Sequence, residues 1–303
     1  MVEMKSDKVF QTITFLFSVL FLFFLMLFLY ELAAGSIPTW QRLGLSFIFG
    51  RVWDPLKNVF GALPFLYGTL VSSTFALLLA LPLGLGVAVF LSEIAPLRIR
   101  GVLSSTIELI AAIPSVVIGL WGIFVLAPFV RDYLQPVLHL FSFIPFFSGS
   151  SLTGLSMLTA ILVLTFMITP IVATIGKDSL LMVPEDLKEG MYSLGARRYE
   201  VIAYVSVPYA KNGILGGLVL GYGRALGETM AVAMVIGNSY LMSSSLLYPG
   251  YTMAAVLANE FAEVTGGLYL SSLMTMAFLL LLISIVINLI GRVVILRWQE
   301  KGS

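Results

Sequence analysis

The sequence predicts an all-α membrane protein with six transmembrane helices and both termini in the cytoplasm. The chain has 303 residues, of which 59% are hydrophobic and 11% charged, and its mean hydropathy is +1.02. Soluble domains are about 45–50% apolar and about 25% charged. A membrane-spanning helix needs about 20 apolar residues. Runs of this length lie at about 10–34, 65–92, 104–128, 153–176, 213–238 and 269–296. We predict that they form one transmembrane domain covering residues 1–303.

Charge and composition exclude several functional classes. A net charge of +1 gives no field that would attract nucleic acid. The chain has no cysteine and a single histidine, His139, which excludes thiol chemistry and a multi-histidine metal site. It contains no phosphate loop for ATP and no set of side chains for a serine-histidine-aspartate triad. We therefore predict no catalytic residue, metal or cofactor, and a transport or channel function.

The first apolar run follows two lysines and ends near Ala33-Ala34-Gly35. Its apolar core, from Phe10 to Tyr30, is longer than the 7–15 residues of a secretion signal. We interpret it as a retained signal anchor, while cleavage after the small residues stays an alternative.

The distribution of basic residues predicts the orientation, because cytoplasmic segments are enriched in lysine and arginine. The outer segments hold four such residues, and Arg224 lies inside a span. With the N-terminus inside, the inner segments hold twelve: Lys5, Lys8, Arg98, Arg100, Lys177, Lys188, Arg197, Arg198, Lys211, Arg292, Arg297 and Lys301.

The connecting segments differ in polarity. Residues 35–64, 129–152 and 239–268 are predicted to lie outside. The inner segment 177–212 carries ten of the thirty-three charged residues. The membrane does not require this density, so we expect a docking surface for a partner.

The inner segment is predicted to form two short helices around a turn. Pro184, followed by two acidic residues, is typical of a helix start. Gly195 is suited to a helix end with positive φ. The second helix is expected over 196–207 and to end near Pro208.

Two charged residues, Arg224 and Glu228, lie inside the fifth predicted span. A charge in mid-membrane costs about 2.5–3.5 kcal/mol on insertion scales, so both should face protein or water. Their spacing of four places them on one helix face, where they can pair. Either the pair only neutralises itself, or the guanidinium binds an oxyanion while Glu228 holds it or accepts a hydrogen bond from a protonated anion. The residues alone favour the second interpretation only slightly.

The same span contains three pairs of glycines spaced by four, a pattern that permits close helix contact. They are Gly213 with Gly217, Gly217 with Gly221, and Gly223 with Gly227. We expect a tightly packed helix, with Arg224 between helices and not against lipid.

The inner segment resembles the EAA loop of ABC-transporter permeases. Glu189, Gly195 and Pro208 match that motif in identity and spacing, Gly190 and Met191 replace its two alanines, and valines replace its Ile and Leu. The resemblance implies the MetI-like architecture of type I ABC importers. It also implies that this loop, through Glu189, Gly190, Gly195 and Pro208, couples to a cytoplasmic ATPase.

The segment from Gly223 to Asn238, which includes the run Arg-Ala-Leu-Gly-Glu-Thr-Met-Ala-Val, resembles the PstC-type permeases of phosphate uptake. This resemblance implies a role for Arg224 and Glu228 in phosphate passage. It implies a heterodimer with a PstA-type permease, two ATP-binding subunits, an extracytoplasmic phosphate-binding protein, and a place in the bacterial cytoplasmic membrane.

Three alternatives remain open from the sequence. The chain could be the PstA-type partner or a permease for another oxyanion. A self-sufficient secondary transporter would show inverted repeats, and no clear repeat is visible. In a membrane scaffold, the Arg224–Glu228 pair would be structural.

Overall fold

The computed structural model describes residues 2–264 and 266–300, and the regular elements of this part are helices, with one isolated β-bridge between Asp54 and Val59. The helices are α1 (Val2–Leu43), α2 (Ser46–Phe49), α3 (Leu63–Ile94), α4 (Leu97–Ala111), α5 (Ser115–His139), α6 (Met157–Leu181), α7 (Glu185–Ser193), α8 (198–227), α9 (Met230–Val235), α10 (Met253–Glu260) and α11 (Gly267–Glu300).

Five of these helices, α1, α3, α5, α6 and α11, are long and apolar enough to cross a membrane. The predicted all-α fold class is confirmed. The count of six crossings and the cytoplasmic termini stay predictions, since Lys301 lies outside the described residues and no bilayer orients the helices.

Two predicted spans differ from the helices that form. The run 104–128 is interrupted, because α4 ends at Ala111 and Pro114 has an extended backbone, with ψ of 135°, before α5 begins. A residue that precedes proline is disfavoured in helical conformation, which explains the break. α5 then continues to His139, into the predicted outer segment. The run 213–238 is interrupted as well, at Glu228.

The core is formed by α3, α6 and α8. Small residues allow their backbones to approach: a Cβ at Gly84 would lie 2.7 Å from Val172 Cγ1, and one at Gly217 would lie 3.2 Å from Ile175. The buried core includes Ala76, Ala80, Ile161, Leu164 and Ile168. By contrast, the apolar residues of α1 near the N-terminus are exposed.

The inner segment is more helical than predicted. α6 extends to Leu181, beyond the predicted end of its span near residue 176, whereas α7 begins after Pro184 as expected from the sequence. The second helix does not end near Pro208, which corrects the prediction: it continues as α8 to Gly227. A π-turn over Ile202–Ser206 precedes the proline, and its wider hydrogen bonding lets the helix pass a residue without an N–H group.

The predicted outer segment 239–268 folds back into the protein and does not stay an open loop. Its helix α10 is buried along Met253 to Val256. The N–H of Met253 donates to Thr69 Oγ1 of α3 at 2.9 Å. This segment therefore lies against the core near one end of α3 and next to α9.

Candidate functional site

The pair of Arg224 and Glu228 forms as the spacing predicts, but at a break in the helix. α8 ends at Gly227, and Glu228 has an extended backbone with ψ of 125°. Arg224 Nη2 lies 3.8 Å from Glu228 Oε2. At this distance the two side chains form an ion pair, but they are too far apart for a hydrogen bond.

Two local contacts fix the break. The hydroxyl of Thr229 donates to the carbonyl of Gly227 at 3.1 Å. Glu228 Oε1 accepts a long hydrogen bond, 3.4 Å, from the N–H of Ala231 in the first turn of α9. A carboxylate there satisfies an N–H group that has no partner within the helix. Glu228 thus divides its oxygens between α9 and Arg224.

The two partners differ in exposure. The side chain of Arg224 is 42% exposed, whereas that of Glu228 is 8% exposed. In the described part of the chain no hydrogen bond is found from the guanidinium of Arg224. Because guanidinium forks bind oxyanions through paired N–H groups, Arg224 has free capacity for an anion.

The packing of α8 explains why Arg224 is open. One face, with Gly217 and Gly221, lies against α6. Gly223 lies near Asn288 of α11. The remaining face of α8 is left uncovered by other helices. It consists of four residues spaced three or four positions apart: Gly216, Leu220, Arg224 and Gly227. The first two glycine patterns therefore mark close packing, as expected, and Gly227 of the third has open space beside it.

A cavity of about 550 Å³ lies elsewhere, between α3, α4, α5 and α6. Trp121, Phe166 and Pro170 are among its mostly apolar lining residues. Arg224 and Glu228 do not line it. An apolar wall offers nothing to a charged anion, so this cavity is not the anion site.

The four residues assigned to ATPase coupling lie on the surface. Glu189 and Gly190 are exposed on α7, and Pro208 is exposed on α8. Gly195 has φ of +86°, as its position after a helix predicts. Gly190 and Gly195 have open space where a Cβ would lie, so neither is required by packing inside this chain.

Around these residues, the segment exposes apolar side chains although its composition is polar. Those exposed by 45% or more are Leu181, Met182, Leu187, Tyr192, Leu194, Tyr199, Tyr204 and Tyr209. Exposed apolar side chains gathered in a polar segment are typical of a protein-binding site. The structure therefore agrees with a docking role without identifying a partner.

One charged cluster was missed by the sequence analysis. Lys188 of α7 is 7% exposed, and its Nζ lies 3.1 Å from Glu93 Oε1 at the end of α3. Burial lowers the pKa of Lys188, but its contacts with Glu93 and Glu185 outweigh this, and the net pKa lies above its ordinary 10.5. The two residues are 95 positions apart, so no local pattern could have linked them.

A second missed cluster surrounds Glu260, which is 5% exposed at the end of α10. Its carboxylate accepts hydrogen bonds from Trp53 Nε1 at 2.8 Å, Tyr240 Oη at 2.8 Å and Tyr269 Oη at 2.9 Å. Burial, the hydrogen bond to Glu260 and its charge raise the pKa of Tyr240 well above 10. Burial also raises the pKa of Tyr251 to about 12.

Comparisons with known proteins agree with these features. Residues 80–299 match the family of binding-protein-dependent transport system inner membrane components. The phosphate transport system permease protein PstC of Mesorhizobium japonicum is 41% identical over 98% of this chain and 92% of its own length. The PstC protein of Haemophilus influenzae is 40% identical over 98% and 96%, and a probable PstC of Methanocaldococcus jannaschii is 38% identical over 96% and 94%.

A solved structure supports the fold. A chain from an inward-facing crystal form of the MetNI methionine ABC transporter superposes with a TM-score of 0.56 at 18% identity, over 82% of this chain and 99% of that one. At this identity the likeness shows the fold alone, which is the predicted MetI-like architecture. The chain belongs to the binding-protein-dependent transport system inner membrane components and, within them, to the PstC-type permeases of phosphate transport systems.

Proposed function

We propose that this chain is the membrane subunit of an ATP-driven importer and moves inorganic phosphate along a pathway that includes Arg224 and Glu228. The observation that carries the proposal is the half-exposed guanidinium of Arg224 on an uncovered helix face, held only loosely by Glu228. Membership of the PstC-type family supports phosphate as the anion.

The geometry suits passage better than storage. A tight site would not release its ion, so a pathway site must bind weakly. Glu228 keeps a negative charge 3.8 Å from the guanidinium and weakens the hold on an arriving anion. When phosphate leaves, Glu228 is in place to neutralise Arg224 again, which shortens the time that a bare cation faces the pathway.

The assembly is proposed on the same basis. The uncovered face of α8, with Gly216 and Gly227, is proposed to meet a PstA-type permease, so that the pathway lies between two subunits. Two ATP-binding subunits would bind the exposed face of α7 in the cytoplasm, and an extracytoplasmic phosphate-binding protein would deliver the anion outside. In this proposal the domain 1–303 crosses the bacterial cytoplasmic membrane six times, itself catalyses no reaction and needs no cofactor.

The test is phosphate uptake by vesicles that contain the complete complex. We expect Arg224→Gln to reduce uptake by about a hundred-fold, because an oxyanion loses its charged partner, while the ATPase still co-purifies. Arg131→Gln is the matched control, since Arg131 has a similar exposure of 44% but is paired closely, at 2.7 Å, with Asp132.

Equal uptake by wild type and Arg224→Gln would remove Arg224 from the pathway. Competition by sulfate as strong as by phosphate would favour a permease for another oxyanion. If the wild-type complex takes up phosphate without any ATPase, the secondary-transporter alternative gains.

A further inference from the structure

The last turn of α3 is held by side chains from two other helices. Phe90–Ile94 forms a π-turn, closed by a hydrogen bond of 2.7 Å from the N–H of Ala95 to the carbonyl of Phe90. The last carbonyls of a helix lack partners within it. Here Arg100 Nη2 donates to the carbonyl of Ser92 at 2.7 Å, and Arg198 Nη2 donates to the carbonyl of Glu93.

The side chain of Glu93 adds a buried ion pair to this turn. Glu93 and Lys188 are about nine-tenths buried, with 3.1 Å between Oε1 and Nζ. The other partner of Lys188, Glu185, lies 3.3 Å away and is 76% exposed. Removing one member of a buried pair leaves an uncompensated charge, whereas an exposed pair contributes little. The contact to Glu93 therefore fixes α7, and the contact to Glu185 does not.

Both halves of the inner segment hold the same turn. Lys188 comes from α7, and Arg198 begins α8. Between them the chain is irregular, with the positive φ of Gly195. Apolar packing continues next to the turn, where Ala88 of α3 meets Leu180 and Ile214. The turn at 90–94 is thus a common anchor for the surface-exposed segment.

From this anchor, α3 runs through the core to the helix that carries Arg224. Thr74 of α3 and Tyr222 of α8 share a hydrogen bond of 2.9 Å between their hydroxyl groups. Tyr222 is two residues before Arg224. A displacement of the 90–94 turn along α3 would therefore reach the contact beside the proposed anion site.

We propose that the Lys188–Glu93 pair, supported by Arg198, is the joint through which motion of α7 displaces α3 and opens the pathway. Lys188 and Glu93 are positioning residues in this scheme, since neither reaches the anion. The inference rests on the proposed function, because it takes α7 to be the surface that an ATPase moves. Without the joint, α7 could turn on its irregular connections while α3 stays in place.

The experiment measures phosphate moved per ATP hydrolysed by the complete complex in lipid vesicles. We expect Lys188→Met to raise the ATP cost of each phosphate by about five-fold while the ATPase still co-purifies. Lys188→Arg keeps the charge and should stay within about two-fold of wild type. Glu108→Gln is the matched control, because it removes the exposed partner of another largely buried lysine, Lys177, outside α7 and should leave the ratio unchanged.

The outcomes separate the joint from the function on which it rests. A wild-type ratio in Lys188→Met would overturn the joint, and so would an equal rise in the Glu108→Gln control. If Lys188→Met does not assemble, Glu93→Gln decides, since it leaves no unpaired buried carboxylate: a raised ratio supports the joint and a wild-type ratio rejects it. Failure of the wild-type complex to move phosphate or to hydrolyse ATP is instead a failure of the proposed function.

Discussion

Two buried glutamates in this chain have opposite surroundings. Glu260 is 5% exposed and accepts hydrogen bonds of 2.8–2.9 Å from three neutral donors. Glu228 is 9% exposed, yet it has one long hydrogen bond of 3.4 Å and a cation 3.8 Å away. Both carboxylates lie in or beside short helices, so the element type does not explain the difference.

The difference distinguishes a charge whose hydrogen bonds are all made within the protein, Glu260, from one that is only loosely paired, Glu228. Glu260 ends α10, where the helix dipole disfavours a negative charge, and Trp53, Tyr240 and Tyr269 compensate for it. A fully satisfied polar cluster is rigid, because any rearrangement breaks several hydrogen bonds at once. Glu228 and Arg224 are incompletely satisfied, which in our proposal leaves the guanidinium of Arg224 available to an anion. The comparison predicts opposite phenotypes for the two glutamates.

The largest effect is expected on stability at Glu260. Glu260→Leu leaves the Trp53 N–H and two tyrosine hydroxyls without an acceptor, at about 1–3 kcal/mol for each group that stays buried. Glu228→Leu loses only long contacts and should cost less than about 1 kcal/mol. Thermal unfolding of the purified complex in detergent measures both variants.

Glu263→Leu is the control for this prediction, since Glu263 is exposed three residues after Glu260. Equal shifts in Tm for the Glu260 and Glu228 variants would show that the different hydrogen bonding of the two carboxylates does not change their contribution to stability.

The next largest effect is expected on phosphate transport, where substitution of Glu228 should do more harm than substitution of Glu260. Glu228→Gln removes the counter-charge of Arg224, so phosphate should be held longer and uptake should fall about ten-fold, equivalent to about 1.4 kcal/mol. Glu260→Gln keeps one acceptor oxygen for Trp53 Nε1 and Tyr269 Oη, and the Tyr240 hydroxyl can accept from the new amide NH2. This variant should transport at near the wild-type rate once assembled. Uptake per assembled complex in vesicles makes the comparison. If only the Glu260 variant loses uptake, the prediction is wrong and Glu260, not Glu228, has the role in transport.

The smallest effect is expected on stability at alkaline pH, through Tyr251 near the Glu260 cluster. The folded-state pKa of Tyr251, about 12, lies above the unfolded value near 10. Its contribution to stability is fully present below pH 10 and is lost as the pH rises toward 12. The difference in Tm between wild type and Tyr251→Phe should therefore be constant from pH 7 to 9 and change in favour of Tyr251→Phe above about pH 10.

A difference in Tm for Tyr251→Phe that stays constant to pH 11 would show that this hydroxyl titrates normally.

Sequence reasoning found the features that depend on nearby residues. A spacing of four was enough to bring Arg224 to Glu228, and the proline and glycine signals placed the start of α7 at Pro184 and its end at Gly195. It missed the Glu260 cluster, in which Trp53 and Glu260 are 207 positions apart. Outer segments of ordinary composition carry no periodic signal that would join them.

The breaks in helices were also missed, for a local reason. Hydropathy continues across Pro114 and across Glu228, so both runs look like single spans. At the break, the Thr229 hydroxyl donates to the carbonyl of Gly227 and the N–H of Ala231 donates to the Glu228 carboxylate, which a count of apolar residues does not register.

The sequence by itself determined the membrane class, the helical fold, the family and the pair at Arg224 and Glu228. These follow from composition and short-range spacing, which the bilayer and helix geometry translate directly into structure. Only the tertiary structure decided that Arg224 is on the uncovered face of α8 and that Lys188 is anchored to Glu93. Such choices depend on which surfaces of α3, α6 and α8 pack together, because packing fixes what is buried and which charges must find a partner.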